Sequence, residues 1–471
     1  MLNYIWLVLI GLAVVIGGLH GNLNEVGDAA VDGAKTAATL AMTLVAVMTM
    51  WLGLMRLADK AGLVKQLGRL IKPILLLLFP EVPANHPALG SITLNVSANI
   101  LGLNNAATPL GLRAMNELES LNKHPGVATN AMCMLLAINT SGITLIPVSV
   151  LALLAAYHGK NPTVIIGTSL AATFIAHICA ILTCKLLERT NWSRRQLESA
   201  PTASTQMREA HAAAIEGAKI GEEAEIADAT LPWVPGSRWI LAGFGGIFVG
   251  LVAGFAFPQL AQWFALHFDV LVPSWTAAAS APIPPEVTQR WAILRLVDAL
   301  SIMVLPWLIL LFPLYATLRR IPVYDEFVEG AKEGVQVILR IFPYMVAMLV
   351  AVFMFKSAGG LELFKDAIRP VTDFIHFPSE LVPMAVIRPF SAPAALGFLA
   401  DLIKDPHYGP DNLITLMGCT LYGCSETTFY VIAVYFGSVG IRKTRHAIPA
   451  GIVADIVGPI AAVIVCRAVL G

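Results

Sequence analysis

Seven long apolar segments constrain this chain more than any other feature of its sequence. Each is long enough, at about 18 residues or more, for an α-helix to cross the hydrocarbon core of a bilayer. The sequence therefore predicts an all-α polytopic membrane protein. The predicted spans are 2–19, 36–57, 162–186, 239–257, 291–318, 335–355 and 447–470.

The composition agrees with a bilayer as the solvent. Hydrophobic residues make up 57% of the 471 residues and charged residues only 13%, which leaves too little polar surface for a soluble globule. The 31 Lys and Arg cancel the 31 Asp and Glu, so no basic excess indicates a nucleic-acid partner. The sequence contains no CxxC pair, HExxH motif or Walker loop. We therefore expect neither an enzyme nor a resident metal or cofactor.

Two further apolar regions, 86–157 and 383–437, are interrupted by Asn, Thr, Ser, Pro and Gly. Irregular backbone at membrane depth is tolerated only where protein or a water-filled cavity surrounds it. We interpret both regions as re-entrant hairpins and broken helices inside the protein.

The chain contains an internal repeat. VDGAK at 31–35 recurs 297 residues later as VEGAK at 328–332, and IKP at 71–73 recurs at the same spacing as IRP at 368–370. We therefore predict a first repeat at 1–190, a soluble linker at 191–236, an extra span with an external loop at 237–289, and a second repeat at 290–471. An amphipathic helix is predicted in the linker, near 206–227.

Positive charge predicts the orientation, because Lys and Arg near span ends stay cytoplasmic. Basic clusters lie at 185–195, 319–320 and 442–445. All three are cytoplasmic only if the second repeat is inverted. We expect about nine spans and two hairpins, a cytoplasmic N-terminus and an external C-terminus, in the bacterial cytoplasmic (inner) membrane. The acidic stretch 21–32 is then an external loop.

Inverted repeats with interrupted helices at matching positions are typical of secondary transporters, whose site lies near the midplane. The polar interruptions are therefore the candidate substrate-binding site. Its residues are Asn104, Asn105, Thr108, Asn139, Thr140, Ser141, Thr144, Arg388, Ser391, Ser425, Glu426, Thr427 and Thr428.

The strongest candidates are the ionisable ones. Arg388 can hold an anion or pair with Glu426, whose carboxylate can take a proton, a cation or the amine of a solute. A structural ion pair is the alternative. Single Ser and Thr side chains more often bond their own helix backbone, which is the competing interpretation for each of them.

Four residues form a second tier. Asn95 and Asn99 lie one helical turn apart on the first hairpin arm. His177 and Asp455 occupy matching places in the last span of each repeat, where they can act as relay groups or simply form interhelical hydrogen bonds.

The first repeat resembles the spore maturation protein A family, and the second repeat resembles the spore maturation protein B family. The first resemblance rests on WLGLM at 51–55, GLNNAATPLG at 102–111 and NTSGITLIP at 139–147. The second rests on FVEGAKEG at 327–334, RP at 388–389 with AALG at 394–397, and TTFYV at 427–431 with VYFG at 434–437. The chain thus resembles a fusion of the two.

Both families are similar to the nucleoside-recognition, or Gate, superfamily, which includes concentrative nucleoside transporters and the membrane domain of ferrous iron transporter B. The hairpin tip at 105–110 resembles the ligand-holding tip of the nucleoside transporters. Asn105 and Ala106 depart from its more polar character, so the resemblance does not imply a nucleoside substrate.

The expected function is secondary transport of a small polar solute, coupled to sodium or protons. The expected partners are the lipid bilayer and the solute, and the chain can also form a homo-oligomer. One alternative is a non-transporting membrane partner in envelope or sporulation physiology. The other is a ferrous-iron or other metal permease, for which Cys419, Cys424 and Glu426 offer ligands.

Overall fold

The computed structural model describes residues 2–198 except 103, residues 233–257 and 259, and residues 292–471 except 425. In these residues helices dominate and no β-strand occurs, apart from one isolated bridge between Val127 and Lys443. The helices are α1 (Leu2–His20), α2 (Leu23–Lys60), α3 (Leu63–Leu78), α4 (Pro87–Leu101), α5 (Asn104–Ser120), α6 (Asn130–Thr140), α7 (Val148–Ala156), α8 (Ile165–Glu188), α9 (Asn191–Glu198), α10 (Ser237–Ala256), α11 (Ala292–Leu318), α12 (Val323–Ser357), α13 (Gly360–Phe374), α14 (Val382–Ile387), α15 (Ala392–Lys404), α16 (Leu413–Cys424), α17 (Thr428–Ser438) and α18 (Ala447–Leu470).

The predicted all-α membrane architecture is confirmed. Within the described residues, five helices are long and apolar enough to cross a membrane, and shorter apolar helices accompany them. The pairs α6–α7 and α16–α17 are each one crossing broken in the middle, and α4–α5 and α14–α15 form the two hairpins. Counting each broken pair once, together with α1, α2, α8, α10, α11, α12 and α18, gives nine helical segments among the described residues, the number of spans expected from the sequence.

The long helices α2 and α12 occupy equivalent places in the two repeats and pack antiparallel along their whole length. A Cβ on Gly33 would lie 2.9 Å from the carbonyl oxygen of Leu349, and a Cβ on Gly330 would lie 2.6 Å from that of Leu52. Gly330 is the repeat equivalent of Gly33, so the two close approaches are related by symmetry. Only glycine lets the backbones approach this closely.

The last helices of the repeats are antiparallel as well. Near the start of α8, Thr168 bonds Thr420, which also accepts from Cys466 near the end of α18. Just after the end of α8, Ser193 contacts His446, which precedes α18. Equivalent helices that run in opposite directions are what an inverted repeat requires.

The predicted loop at 21–32 is much shorter in the structure. Only Gly21 and Asn22 lie outside helices, because α2 begins at Leu23 and continues for 38 residues to Lys60. Contact with α12 along its length stabilises this extension, which hydropathy alone does not indicate.

The described ends of the predicted linker pack against the repeats. Arg445 is buried and donates to the carbonyl oxygen of Ala128 and to both the carbonyl and hydroxyl oxygens of Ser193 in α9. These bonds place two of the three basic clusters at the same end of the molecule. At the other end of the linker, the guanidinium of Arg319 lies 4.5 Å above the Trp233 ring. The amphipathic helix predicted near 206–227 lies outside the described residues.

Candidate functional site

Each broken crossing, α6–α7 or α16–α17, forms a backbone hydrogen bond with the hairpin of its own repeat. In the first repeat, Leu145 N donates to Ile100 O at 2.9 Å, and in the second, Phe429 N donates to Pro389 O at 3.2 Å. The freed backbone groups of an unwound helix are thereby partly satisfied inside the protein. The bonds also bring each polar interruption to the tip of its hairpin.

The two broken segments meet each other in the interior. Gly142 of the first repeat faces Glu426 of the second, whose Cγ would lie 3.9 Å from a Cβ on that glycine. Gly451 of α18 packs against the side chains of both Thr140 and Thr428. Residues from the broken segments of both repeats therefore lie in one region.

The part of the site from the first repeat is a buried amide network. The Asn139 side chain donates to Asn95 Oδ1 at 3.0 Å and to the Leu135 carbonyl at 2.8 Å. It accepts from Asn99 Nδ2 at 2.8 Å and from the Tyr435 hydroxyl at 3.2 Å. This network joins the hairpin, the broken crossing and α17 of the other repeat without any formal charge.

His177 extends the first-repeat side of the site. Its Nδ1 lies 3.0 Å from the hydroxyl of Ser141 and 3.2 Å from the Ser141 carbonyl oxygen. The Ser141 hydroxyl also donates to Ala137 O at 2.6 Å. The imidazole therefore holds the end of α6, where the crossing breaks.

The part of the site from the second repeat is ionic. Arg388, at the tip of the second hairpin, has a side chain that is only 5% exposed. It donates to Thr427 Oγ1 at 3.0 Å and to the Tyr422 carbonyl at 3.2 Å, and its guanidinium lies 4.4 Å above the Tyr422 ring. These contacts hold the buried charge in place.

Two carboxylates belong to the second-repeat side of the site. Glu426 Oε2 is 3.9 Å from Arg388 Nη2, yet the Glu426 side chain remains 37% exposed. Asp455 accepts from the Thr428 hydroxyl at 2.9 Å, while its Oδ2 has no hydrogen-bond partner among the described residues. The second-repeat side thus contains one cation held in place and two carboxylate groups that can accept further hydrogen bonds.

The remaining predicted residues have smaller roles in the geometry. The Ser391 hydroxyl caps α15 by accepting from Ala394 N, and Thr140 donates to Ala137 O within its own helix. Thr144 packs against Gly102, at the first hairpin tip. Asn104, Asn105 and Thr108 lie in the first turns of α5, while Ser425 lies outside the described residues.

Three aromatic residues of this region were not among the sequence candidates. Tyr435 and Tyr422 contact Asn139 and Arg388, and Trp51 is buried beside Gly102 with an indole N–H that has no partner among the described residues. The sequence offered weak signals, because Trp51 and Tyr435 belong to WLGLM and VYFG. Aromatic residues are so common in apolar spans that neither stood out.

The side chains of this region offer hydrogen bonding and ion pairing. Within the described ranges, no group of three or more His, Cys, Asp and Glu side chains is placed to hold a metal ion. The Cys424 thiol instead donates to the carbonyl oxygens of Leu421 and Gly458.

Comparison with known proteins agrees with the repeat architecture. The sequence pattern of the Gate family, described as nucleoside recognition, matches residues 41–157 and 338–442. Spore maturation protein B of Bacillus subtilis (strain 168) is 41% identical over 178 residues, which cover 38% of this chain and 99% of that protein. Spore maturation protein A of the same organism is 44% identical over 182 residues, covering 39% of this chain and 93% of that protein.

Proposed function

Because this chain belongs to the spore maturation protein A and B family and carries the Gate region, we propose that it is a secondary transporter of a small polar solute. The family is transporter-like and not enzymatic in character. We propose an ion-coupled mechanism, with protons or sodium as the driving ion, in the bacterial cytoplasmic membrane. The N-terminus is proposed to be cytoplasmic and the C-terminus external.

One observation carries the proposal, namely the meeting of Gly142 and Glu426 between the two inverted repeats. A site shared by both repeats lies where a rocking motion of one against the other changes its access from one side to the other. A charged residue at membrane depth carries a large free-energy cost of desolvation, so it is retained where it pairs with another group or takes part in function. The Glu426 carboxylate lies 3.9 Å from Arg388 Nη2, beyond direct hydrogen-bond distance, and keeps part of its side chain exposed.

The proposed roles follow from the chemistry of each group. Arg388 binds an anionic group of the solute or holds Glu426 in the empty state, and Glu426 receives a proton, a cation or a solute amine. The amide network of Asn95, Asn99 and Asn139 holds the first-repeat side of the site in place, across from the charged groups. His177 and Asp455, each hydrogen-bonded to the broken crossing of its own repeat, are proposed to link its position to ion binding.

Thermal unfolding of the purified full-length protein tests this proposal. A ligand that binds only the folded state stabilises it by RT ln(1 + [L]/Kd), about 2.7 kcal/mol at 100 times Kd. Nucleosides, amino acids, small peptides, dicarboxylates and divalent metals are screened separately. We expect stabilisation by one polar class, followed by uptake of that class into proteoliposomes along an ion gradient.

Glu426→Gln serves as the diagnostic variant, and Glu329→Gln on the exposed surface of α12 is its matched control. We expect the first to fold but lose the ligand response, while the second retains it. Stabilisation by divalent metals alone would favour the metal-permease alternative. A folded protein that responds to no class would favour the non-transporting partner.

A further inference from the structure

Helix α3 has an exposed basic row that the transport proposal does not use. Lys65, Arg69 and Lys72 are all exposed, and their spacing of four and three residues places them on one face of the helix. No acidic residue occurs in the 16 residues of α3. The charged residues of α3 are therefore all positive.

A second exposed face of the same helix is apolar. Leu70, Ile74 and Leu77 are 75%, 61% and 78% exposed. At about 100° per residue, this row lies about 140° around the helix from the basic row. The third face, with Val64, Gly68 and Leu75, is buried against the protein.

These three faces suit a helix that lies in the plane of the membrane interface. The buried face packs on α4, since a Cβ on Gly68 would lie 3.0 Å from the Thr93 methyl. The apolar row can then enter the acyl boundary while the basic row stays at headgroup level. A helix exposed to water alone would not place three large aliphatic side chains on its surface.

The repeat equivalent of α3 is α13, a helix of similar length whose charged residues differ from those of α3. Positions 297 residues after Lys65, Arg69 and Lys72 are Glu362, Asp366 and Arg369, on α13. The position equivalent to Leu77 is Phe374, which is 84% exposed. An exposed large apolar side chain near the end of the helix is thus common to both repeats, whereas a helix whose charged residues are all positive occurs in α3 and not in α13.

We infer that α3 is a binding site for the headgroups of anionic phospholipids in the leaflet beside it. Phosphate groups complement the basic row, and the adjoining apolar row accounts for the lipid tails. This inference is independent of the transported solute. It assigns to α3 a role in lipid recognition that α13 does not share.

The test compares matched variants of the detergent-purified full-length protein titrated with phosphatidylglycerol. Arg69→Gln with Lys72→Gln removes two charges from α3, and Lys365→Gln with Arg369→Gln removes two from α13. At about 1 kcal/mol per basic residue near an anionic surface, the α3 variant should need about 30-fold more phosphatidylglycerol for the same rise in unfolding temperature. The α13 variant should respond like the parent, and phosphatidylcholine should give a smaller rise in all three.

Two outcomes of the titration overturn the inference, namely an unchanged response in the α3 variant or an equal loss in the α13 variant. Inorganic phosphate at matched ionic strength is the third arm. If it produces the same rise as phosphatidylglycerol, α3 holds a free anion and no lipid.

Fluorescent labels provide a second measurement that does not depend on stability. Cysteines at positions 74 and 69 are introduced singly in a Cys179→Ser background, since the other native cysteines are buried. In nanodiscs, the label of Ile74→Cys should be quenched by lipid-borne quenchers and that of Arg69→Cys by aqueous ones. Equal aqueous quenching at both positions would refute an interfacial helix.

Discussion

The two halves of the candidate site share a backbone arrangement but carry different side chains, neutral amides in one half and charged groups in the other. On the first-repeat side, Asn95, Asn99 and Asn139 form a buried neutral network. On the second-repeat side, Arg388 and Glu426 form an ionic pair with partial exposure. Yet each broken crossing makes an equivalent backbone bond to its hairpin.

This difference indicates that the two repeats share the backbone scaffold and differ in the polar side chains that it carries. Backbone bonds and close glycine contacts are needed in both halves, because an unwound crossing must be satisfied wherever it occurs. Charged groups at membrane depth are retained where they pair with each other or bind a ligand, and that condition can differ between the two halves.

The largest effect is expected from Arg388→Met. Removing the guanidinium leaves the Glu426 charge and the Tyr422 carbonyl without their partner, so the free energy of unfolding should fall by about 3–5 kcal/mol. Chemical denaturation in detergent measures this change, with the exposed Arg442→Met as control. Adding Glu426→Gln to Arg388→Met should recover part of the loss. A fall no larger than that of the control would show that the ionic half is not held by this arginine.

Symmetric glycines test the shared scaffold. Gly33→Ala and Gly330→Ala each place a methyl group against backbone of the partner helix, so each should lower the free energy of unfolding by about 1–3 kcal/mol. Gly27→Ala has open space around it and should be neutral or stabilising. Very different losses for the two equivalent positions would contradict a symmetric crossing of α2 and α12.

Asn139→Ala tests the neutral half. The substitution removes both donors to Asn95 and Leu135 and both acceptor contacts, so a loss of about 1–2 kcal/mol is expected. Asn99→Ala removes one hydrogen bond of this network, the bond to Asn139, and should have a smaller effect. A double-mutant cycle between the two positions measures their coupling. Additive effects would mean that the amides do not act as a network.

Glu426→Gln should have the smallest effect on folding. Its carboxylate is 37% exposed and 3.9 Å from Arg388, so the loss of stability should stay below about 1 kcal/mol. The same denaturation measurement detects it. A loss comparable with that of Arg388→Met would identify Glu426 as a structural partner and not as a group reserved for ligand.

Much of the fold could be predicted from the sequence, because hydropathy and repeats report it directly. The last predicted span, 447–470, coincides with α18, and the predicted span 239–257 differs from α10 by two residues at its start and one at its end. The early start of α2 could not be predicted, since its polar first turns are stabilised by packing on α12. Likewise, nothing in the residues near Ser193 indicates that Arg445, some 250 residues away, donates to it.

The sequence alone determined the bilayer as solvent, the two repeats and the polar interruptions, because these depend on the composition and order of neighbouring residues. Only the tertiary structure decided that Gly142 faces Glu426, that Tyr435 joins the asparagine network of the other repeat, and that Arg388 is buried while Glu426 remains partly exposed. These properties depend on how antiparallel helices distant in sequence approach each other. Local periodicity identifies the face that a helix buries and contains no information about the partner against which it is buried.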